Sequence, residues 1–151
     1  MNKFRKIYKK KKFKECPFCV WLKKYKKDVI EETENYYLTI NHYPYIRHHL
    51  LIAPKAHITR LISEKHLEEK EYLTQQAGKI FLNLGIKDYV VLDRSGAKSG
   101  RSLKHVHRHV IPVRGPHDMY YRYAEIEGEL DLAGDVRKYR KILNKYQVKD
   151  D

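Results

Sequence analysis

Three histidines at alternate positions, His105, His107 and His109, sit in the run Ser99-Gly100-Arg101-Ser102-Leu103-Lys104-His105-Val106-His107-Arg108-His109-Val110-Ile111-Pro112. Its β-branched residues and closing proline predict a strand over Leu103 to Ile111, and strand side chains alternate between faces. All three imidazoles then point the same way. Same-face neighbours on a strand lie about 6.5 to 7 Å apart, so the outer two imidazoles start about 13 Å apart and cannot easily share one metal ion. One or two could be ligands, which leaves at least one for other work. A neutral imidazole can attack phosphorus or acyl carbon, and with an ordinary pKa near ~6.5 it is both nucleophile and leaving group at neutral pH. Gly100 and Ser102 just upstream could supply backbone and hydroxyl donors to a phosphate. The competing explanation is a solvated strand that happens to carry histidines, which strict alternation beside a Ser-Gly-Arg-Ser turn disfavours.

At 151 residues the chain suits a single domain that buries roughly two thirds of its unfolded surface. It carries 32 Lys and Arg against 19 Asp and Glu, a formal +13, which attracts polyanions without saying which. No apolar run reaches the ~18 residues of a membrane span, and the lysine-rich start lacks the apolar centre of a signal peptide; a cytoplasmic protein with no membrane partner is expected. Residues 1–14 hold Lys3, Arg5, Lys6, the run Lys9 to Lys12, and Lys14 with no acid. They are expected to form a flexible basic tail that could contact nucleic acid or phosphate.

Cys16-Pro17-Phe18-Cys19 has the spacing of a metal knuckle or redox pair. No βαβ pattern surrounds it, which favours zinc. Val20 to Lys27 reads as a short helical turn. Asn35 to Ile40 and His49 to Ala53 read as an antiparallel strand pair joined through Asn41-His42-Tyr43-Pro44-Tyr45. Leu61 to Leu84 reads as the long helix, with Ser63 as N-cap, a core stripe of Leu67, Leu73, Ala77, Ile80, Phe81 and Leu84, and Gly85 as its stop. Lys87 to Asp93 is a third strand and Arg94 to Ser102 a loop. Gly115-Pro116 breaks the histidine strand, Tyr120 to Ala124 is a short strand or loop, and Leu132 to Tyr146 is a basic C-terminal helix.

Taken with Asn41-His42-Tyr43-Pro44-Tyr45 and His49-Leu50-Leu51-Ile52-Ala53-Pro54-Lys55-Ala56-His57, the histidine run resembles the histidine-triad (HIT) superfamily of nucleotide hydrolases and transferases. The branch of diadenosine polyphosphate hydrolases and phosphorylases is the most similar, over most of residues 16–118. The resemblance implies an α+β domain over 15–151, with a mainly antiparallel sheet, a long helix and a C-terminal helix, acting as a homodimer on a nucleotide or dinucleoside polyphosphate. It makes His107 the nucleophile on an α-phosphate, with His109 on the phosphate, His105 completing the triad, and Ser102 donating to the phosphate or leaving group. Asn41 matches a residue near ribose and phosphate. Gly100 and Arg101 flank the leaving group, with Arg101 a cation where many members have glutamine or asparagine. Members with a Cys-x-x-Cys knuckle bind structural zinc, here through Cys16, Cys19, His57 and His105. Arg108, in an apolar family position, is expected to face away from the triad, towards solvent or towards an acid of the C-terminal segment. His48 stands where a glycine is usual, and His42, His48, His66 and His117 default to the surface. The basic charge also admits removal of adenylate from nucleic-acid ends, as in the aprataxin branch, and the departures admit a nucleotide-binding protein without turnover.

Overall fold

A computed structural model describes residues 15–115 and 129–149. The basic tail over 1–14, Pro116, His117 and the reading of Tyr120 to Ala124 lie outside the described residues. The elements are α1 (Pro17–Lys24), β1 (Val29–Glu32), β2 (Tyr36–Ile40), β3 (Leu50–Pro54), α2 (Leu67–Asn83), β4 (Tyr89–Asp93), β5 (Arg108–Pro112) and α3 (Leu132–Lys149). The five strands form one antiparallel sheet in the order β1-β2-β3-β5-β4, so the fold is α+β with a long helix and a C-terminal helix. Among the described residues no helix is long and apolar enough to cross a membrane.

Period-two alternation on the central strands separates two packing layers. Tyr36, Leu38, Ile40, Leu50, Ile52 and Val110 face Leu73, Ala77, Ile80 and Phe81 of α2, and Val136, Tyr139, Ile142 and Leu143 of α3. Tyr37, Leu51 and Ala53 face the other way, onto Phe18 and Trp21 of α1. Each of these large side chains contributes about 1.5–3 kcal/mol by leaving water, which fixes the register of β2 and β3. A one-residue slip would exchange the two faces. His109 alternates with Val110, so it lies on the α1 side of the sheet, and Arg108 lies on the α2 side.

Several elements differ from those expected. The first helix starts at Pro17, because proline suits an N-terminal turn, and a separate 3-10 turn at Lys26–Asp28 follows it. The strand Val29–Glu32 has no counterpart in the sequence reading. The long helix begins at Leu67 with His66 as N-cap in a left-handed conformation, instead of at Ser63; residues 61–63 form an isolated 3-10 turn. The cause is Glu64, whose carboxylate accepts from Tyr36 Oη at 2.9 Å and Lys70 Nζ at 2.7 Å. That pulls the segment against β2 before the helix can start. Leu67 is therefore exposed and drops out of the expected stripe. Gly85, at φ +76°, ends the helix region as expected.

Candidate functional site

The ladder of β5 begins only at Arg108, which pairs with Ile52 on one side and Asp93 on the other. His105 and His107 therefore precede the strand. Their stretch is held differently: Val106 N–H donates to Ile58 O at 2.7 Å, and His107 Nδ1 donates to His105 O at 2.9 Å. The three histidines accordingly divide into two groups. His107 and His109 lie side by side with ring centroids 4.8 Å apart, whereas His105 turns Nδ1 towards the cysteines.

A carbonyl can only accept, so the bond to His105 O puts the His107 proton on Nδ1 and leaves a lone pair on Nε2. Phe18 stacks on the ring at 4.6 Å. Burial is the main force holding His107 below the ordinary imidazole pKa, with Arg94 adding to it and the bond to His105 O and the charge of Asp93 opposing it. His107 is 8% exposed, and a neutral imidazole with a lone pair on Nε2 has the chemistry of a nucleophile.

A second chain of hydrogen bonds fixes His109. Tyr45 N–H donates to His49 Nδ1 at 3.1 Å, so His49 carries its proton on Nε2 and gives it to His109 Nδ1 at 2.8 Å. The proton of His109 is then on Nε2, where it can donate to an anion. Burial pushes His49 down to about 3, helped by the charges of His107 and Arg94. Burial likewise drives His109 well below the ordinary value, with His49 next in effect. Asn41 is buried beneath this pair, its Oδ1 accepting from Tyr43 N–H at 2.8 Å and its Nδ2 lying 3.3 Å from His49 Nδ1. It braces the loop that carries Tyr45.

On the other side of His107 the structure brings Cys16, Cys19, His57 and His105 together, one ligand atom from each lying within 4.8 Å of all the others. Cys19 Sγ is 3.1 Å from His57 Nδ1, and His105 Nδ1 is 3.4 Å from Cys16 Sγ and 3.5 Å from Cys19 Sγ. Tetrahedral zinc with bonds of about 2.0–2.3 Å sets its ligands about 3.3–3.8 Å apart; both His105 distances lie in that range and the Cys19–His57 distance is slightly shorter, so the donor set could hold that ion. His105 Nε2 donates to Pro54 O at 2.8 Å, which leaves Nδ1 unprotonated, as a ligand must be.

The loop before the triad is braced by its own cations. Arg94 donates to Gly100 O at 2.6 Å, and Gly100 turns there at φ +85°. Arg101, expected at the leaving group, donates to Thr59 O at 3.1 Å and so ties this loop to the segment after His57. Ser102 is exposed. Arg108 faces away from the triad as expected. Its acids, however, are on β4 and α2, not on the C-terminal segment: it grips both oxygens of Asp93 at 3.0 and 2.8 Å, Glu71 at 2.8 Å and Thr74 at 3.0 Å. Nor are two of the remaining histidines surface decoration. His42 pairs with Asp28 at 2.7 Å and packs on Trp21 and Tyr25. His48, at φ +70°, bonds Tyr139 Oη. His66 is exposed, as expected.

Three contributors escaped sequence reasoning. His49 could have been found from its alternation with Leu51 and Ala53, which places it on the triad's side of the sheet. Phe18 lies inside the cysteine knuckle, where its stacking on His107 depends on how that knuckle docks. Arg94 carries no periodicity and gave no signal.

The HIT domain profile matches residues 23–115. The chain is 33% identical over 90 residues to an HIT-like protein of Chlamydia trachomatis, covering 56% of this chain and 78% of that one. It is 26% identical over 111 residues to an HIT-like protein of Methanocaldococcus jannaschii, covering 72% and 78%. Among solved structures, a zinc-bound histidine triad family protein of Mycobacterium smegmatis aligns with a TM-score of 0.74 at 21% identity, over 89% of this chain and 97% of that one. The Plasmodium falciparum diadenosine triphosphate hydrolase in complex with cyclomarin A aligns with a TM-score of 0.63 at 20% identity, over 80% and 78%.

Proposed function

Because the chain belongs to the HIT domain family, we propose that it is a nucleotidyl hydrolase or transferase working through a covalent nucleotidyl-histidine intermediate. The observation that carries this reading is the bond from His107 Nδ1 to His105 O, which presents Nε2 as an aimed lone pair. Nε2 attacks the α-phosphorus, a P–N bond forms, and the P–O bond to the leaving group breaks with its electron pair going to oxygen. His109 Nε2–H stabilises a non-bridging oxygen as charge develops there. Ser102 donates to the departing oxygen, with Gly100 and Arg101 shaping the loop around it, and Asn41 holds the floor of the site from below. Water or phosphate then attacks phosphorus and returns the electron pair to Nε2.

The substrates proposed are dinucleoside polyphosphates and related phosphoanhydrides or phosphoramidates, acted on in the cytoplasm. The diadenosine triphosphate hydrolase that shares the fold supports the first class. Zinc on Cys16, Cys19, His57 and His105 would supply a structural tie between α1 and the triad. The residues fit it, and a structural relative is zinc-bound.

Incubation with a panel of diadenosine polyphosphates and adenosine phosphoramidate, followed by rapid alkaline quench and mass spectrometry, should show a nucleotidyl mass on the peptide containing His107. His107→Ala should lose the adduct and at least about 10³-fold in kcat. Turnover that survives His107→Ala removes the mechanism, and nucleotide binding with no turnover across the panel removes the enzyme.

A further inference from the structure

We infer that α3, together with the connection from α1 to β1, forms a docking face for the sugar–phosphate backbone of a nucleic acid. This inference stands apart from the catalytic reading.

Two acids at the start of α3 are already engaged. Asp131 caps the helix start by accepting from Gly134 N–H at 2.9 Å, and the buried Asp135 is held by Arg47 at 3.0 Å. From residue 137 to 146 the helix reads Arg-Lys-Tyr-Arg-Lys-Ile-Leu-Asn-Lys-Tyr, with no acid. Tyr139, Ile142 and Leu143 enter the core, while Arg137, Lys138, Lys141 and Lys145 remain exposed. These four follow the spacing of a single helix face.

That face is continued by a second element. Arg140 donates to Val29 O at 3.1 Å and lies 3.5 Å from Lys27 O, so the helix is fastened to the turn Lys26–Asp28. The exposed Lys26 and Lys27 of that turn are thereby fixed beside it. Among the described residues none of these six cations has an acidic partner. Asp28, the acid of that turn, is taken by His42.

The chemistry of the face selects its partner. A helix inserted in a membrane surface or a dry protein interface asks for exposed apolar groups, and among the described residues the large exposed apolar ones, Ile62, Leu67, Tyr72, Leu82, Tyr89 and Val91, belong to other segments. Unpaired Lys and Arg spaced along about 12 Å of helix ask only for a row of phosphates. A band of this size neutralises on the order of three or four phosphates, releasing counterions from a single strand.

The test uses the full chain and a fluorescein-labelled oligouridylate of roughly 20 nucleotides, with binding followed by anisotropy from about 50 to about 200 mM salt. Affinity should fall steeply with salt. Lys141→Glu/Lys145→Glu and Lys26→Glu/Lys27→Glu should each weaken binding at least about tenfold and flatten the log–log salt slope by about 1 to 2, with unchanged melting curves and unchanged nucleotide turnover. Replacing Lys9 to Lys12 by glutamine in the full chain measures the tail separately. Loss of binding in that variant, with both face variants binding as wild type does, overturns the inference in favour of the tail. Absence of salt-dependent binding by the wild type overturns it too, as does stronger face-dependent binding to phosphatidylserine vesicles than to the oligonucleotide.

Discussion

His49 decides what His109 can do. Its Nε2–H satisfies His109 Nδ1, and only then is the outward nitrogen of His109 a donor. In His49→Leu the buried Nδ1 of His109 loses its partner, which costs about 1–3 kcal/mol. The proton is then free to move to Nδ1, leaving a lone pair to face the phosphate. The expected outcome is a fall in kcat of about 10- to 100-fold with a much smaller change in KM, since the lost interaction strengthens in the transition state. His49→Gln, which keeps an N–H on a side chain of similar reach, should recover part of it. Steady-state kinetics on the three proteins check this, and an unaltered kcat in His49→Leu would show that His109 needs no such partner. Alternation with Leu51 and Ala53 gives the face on which His49 lies, but its partner depends on which strand pairs with β3, and His109 lies 60 residues further on.

At the scale of elements, the parts that were legible are those whose burial wrote a period into the residues. β2 and β3 alternate between two apolar layers, and α2 repeats Leu73, Ala77, Ile80 and Phe81 on one side. β1 was not legible, because half of Val29–Glu32 is acidic and it pairs through an irregular register near Val29. The start of β5 was misplaced for a different reason. In the extended-looking residues 105–107, Val106 N–H goes to Ile58 O and His105 O accepts from the His107 ring, so their backbone joins no ladder with a neighbouring strand. The cysteine knuckle was legible by spacing, but its consequence is one of packing: α1 brings Phe18 to His107 and Trp21 to Thr39 Oγ1 at 2.8 Å. A zinc ion there would hold α1 on the sheet. Removing it with a chelator, or substituting Cys16→Ser, should lower the melting temperature by several degrees, each 1 kcal/mol being worth about 2–4 °C in a domain of this size. It should also change Trp21 fluorescence as the helix loosens. About one equivalent of zinc by elemental analysis of the untreated protein is the matching expectation; a metal-free protein with the same melting curve would leave the four residues without a structural ion.

For the whole molecule, the same burial that keeps the buried imidazoles neutral makes the fold sensitive to acid. His49 titrates near 6.5 when unfolded but only at about 3 when folded, and His109 is shifted the same way. Above pH 6.5 neither state binds the proton and these groups leave stability unchanged. As pH falls below 6.5 the unfolded chain takes up protons that the folded chain refuses, so stability drops by about 1.4 kcal/mol per pH unit for each such histidine. His49 alone accounts for about 2 kcal/mol by pH 5. Because His49 and His109 share a hydrogen bond, their effects do not simply add. Protonation also adds to a charge that already stands at +13, and self-repulsion reinforces the trend. The ion pairs of Arg108 hold Asp93 below the ordinary carboxylate range against the upward push of its burial. Asp93 therefore contributes stability above its unfolded pKa, and that contribution is lost only in stronger acid, as pH falls through its depressed folded value. Urea unfolding at constant ionic strength between pH 7.5 and pH 5 should show the midpoint falling from just below pH 6.5. The decline should be shallower in His49→Leu than in the wild type, because one of the refusing groups is gone. An unfolding midpoint that stays level down to pH 5 would mean that the buried imidazoles accept protons in the folded state, and His107 could not then be a neutral nucleophile over that range.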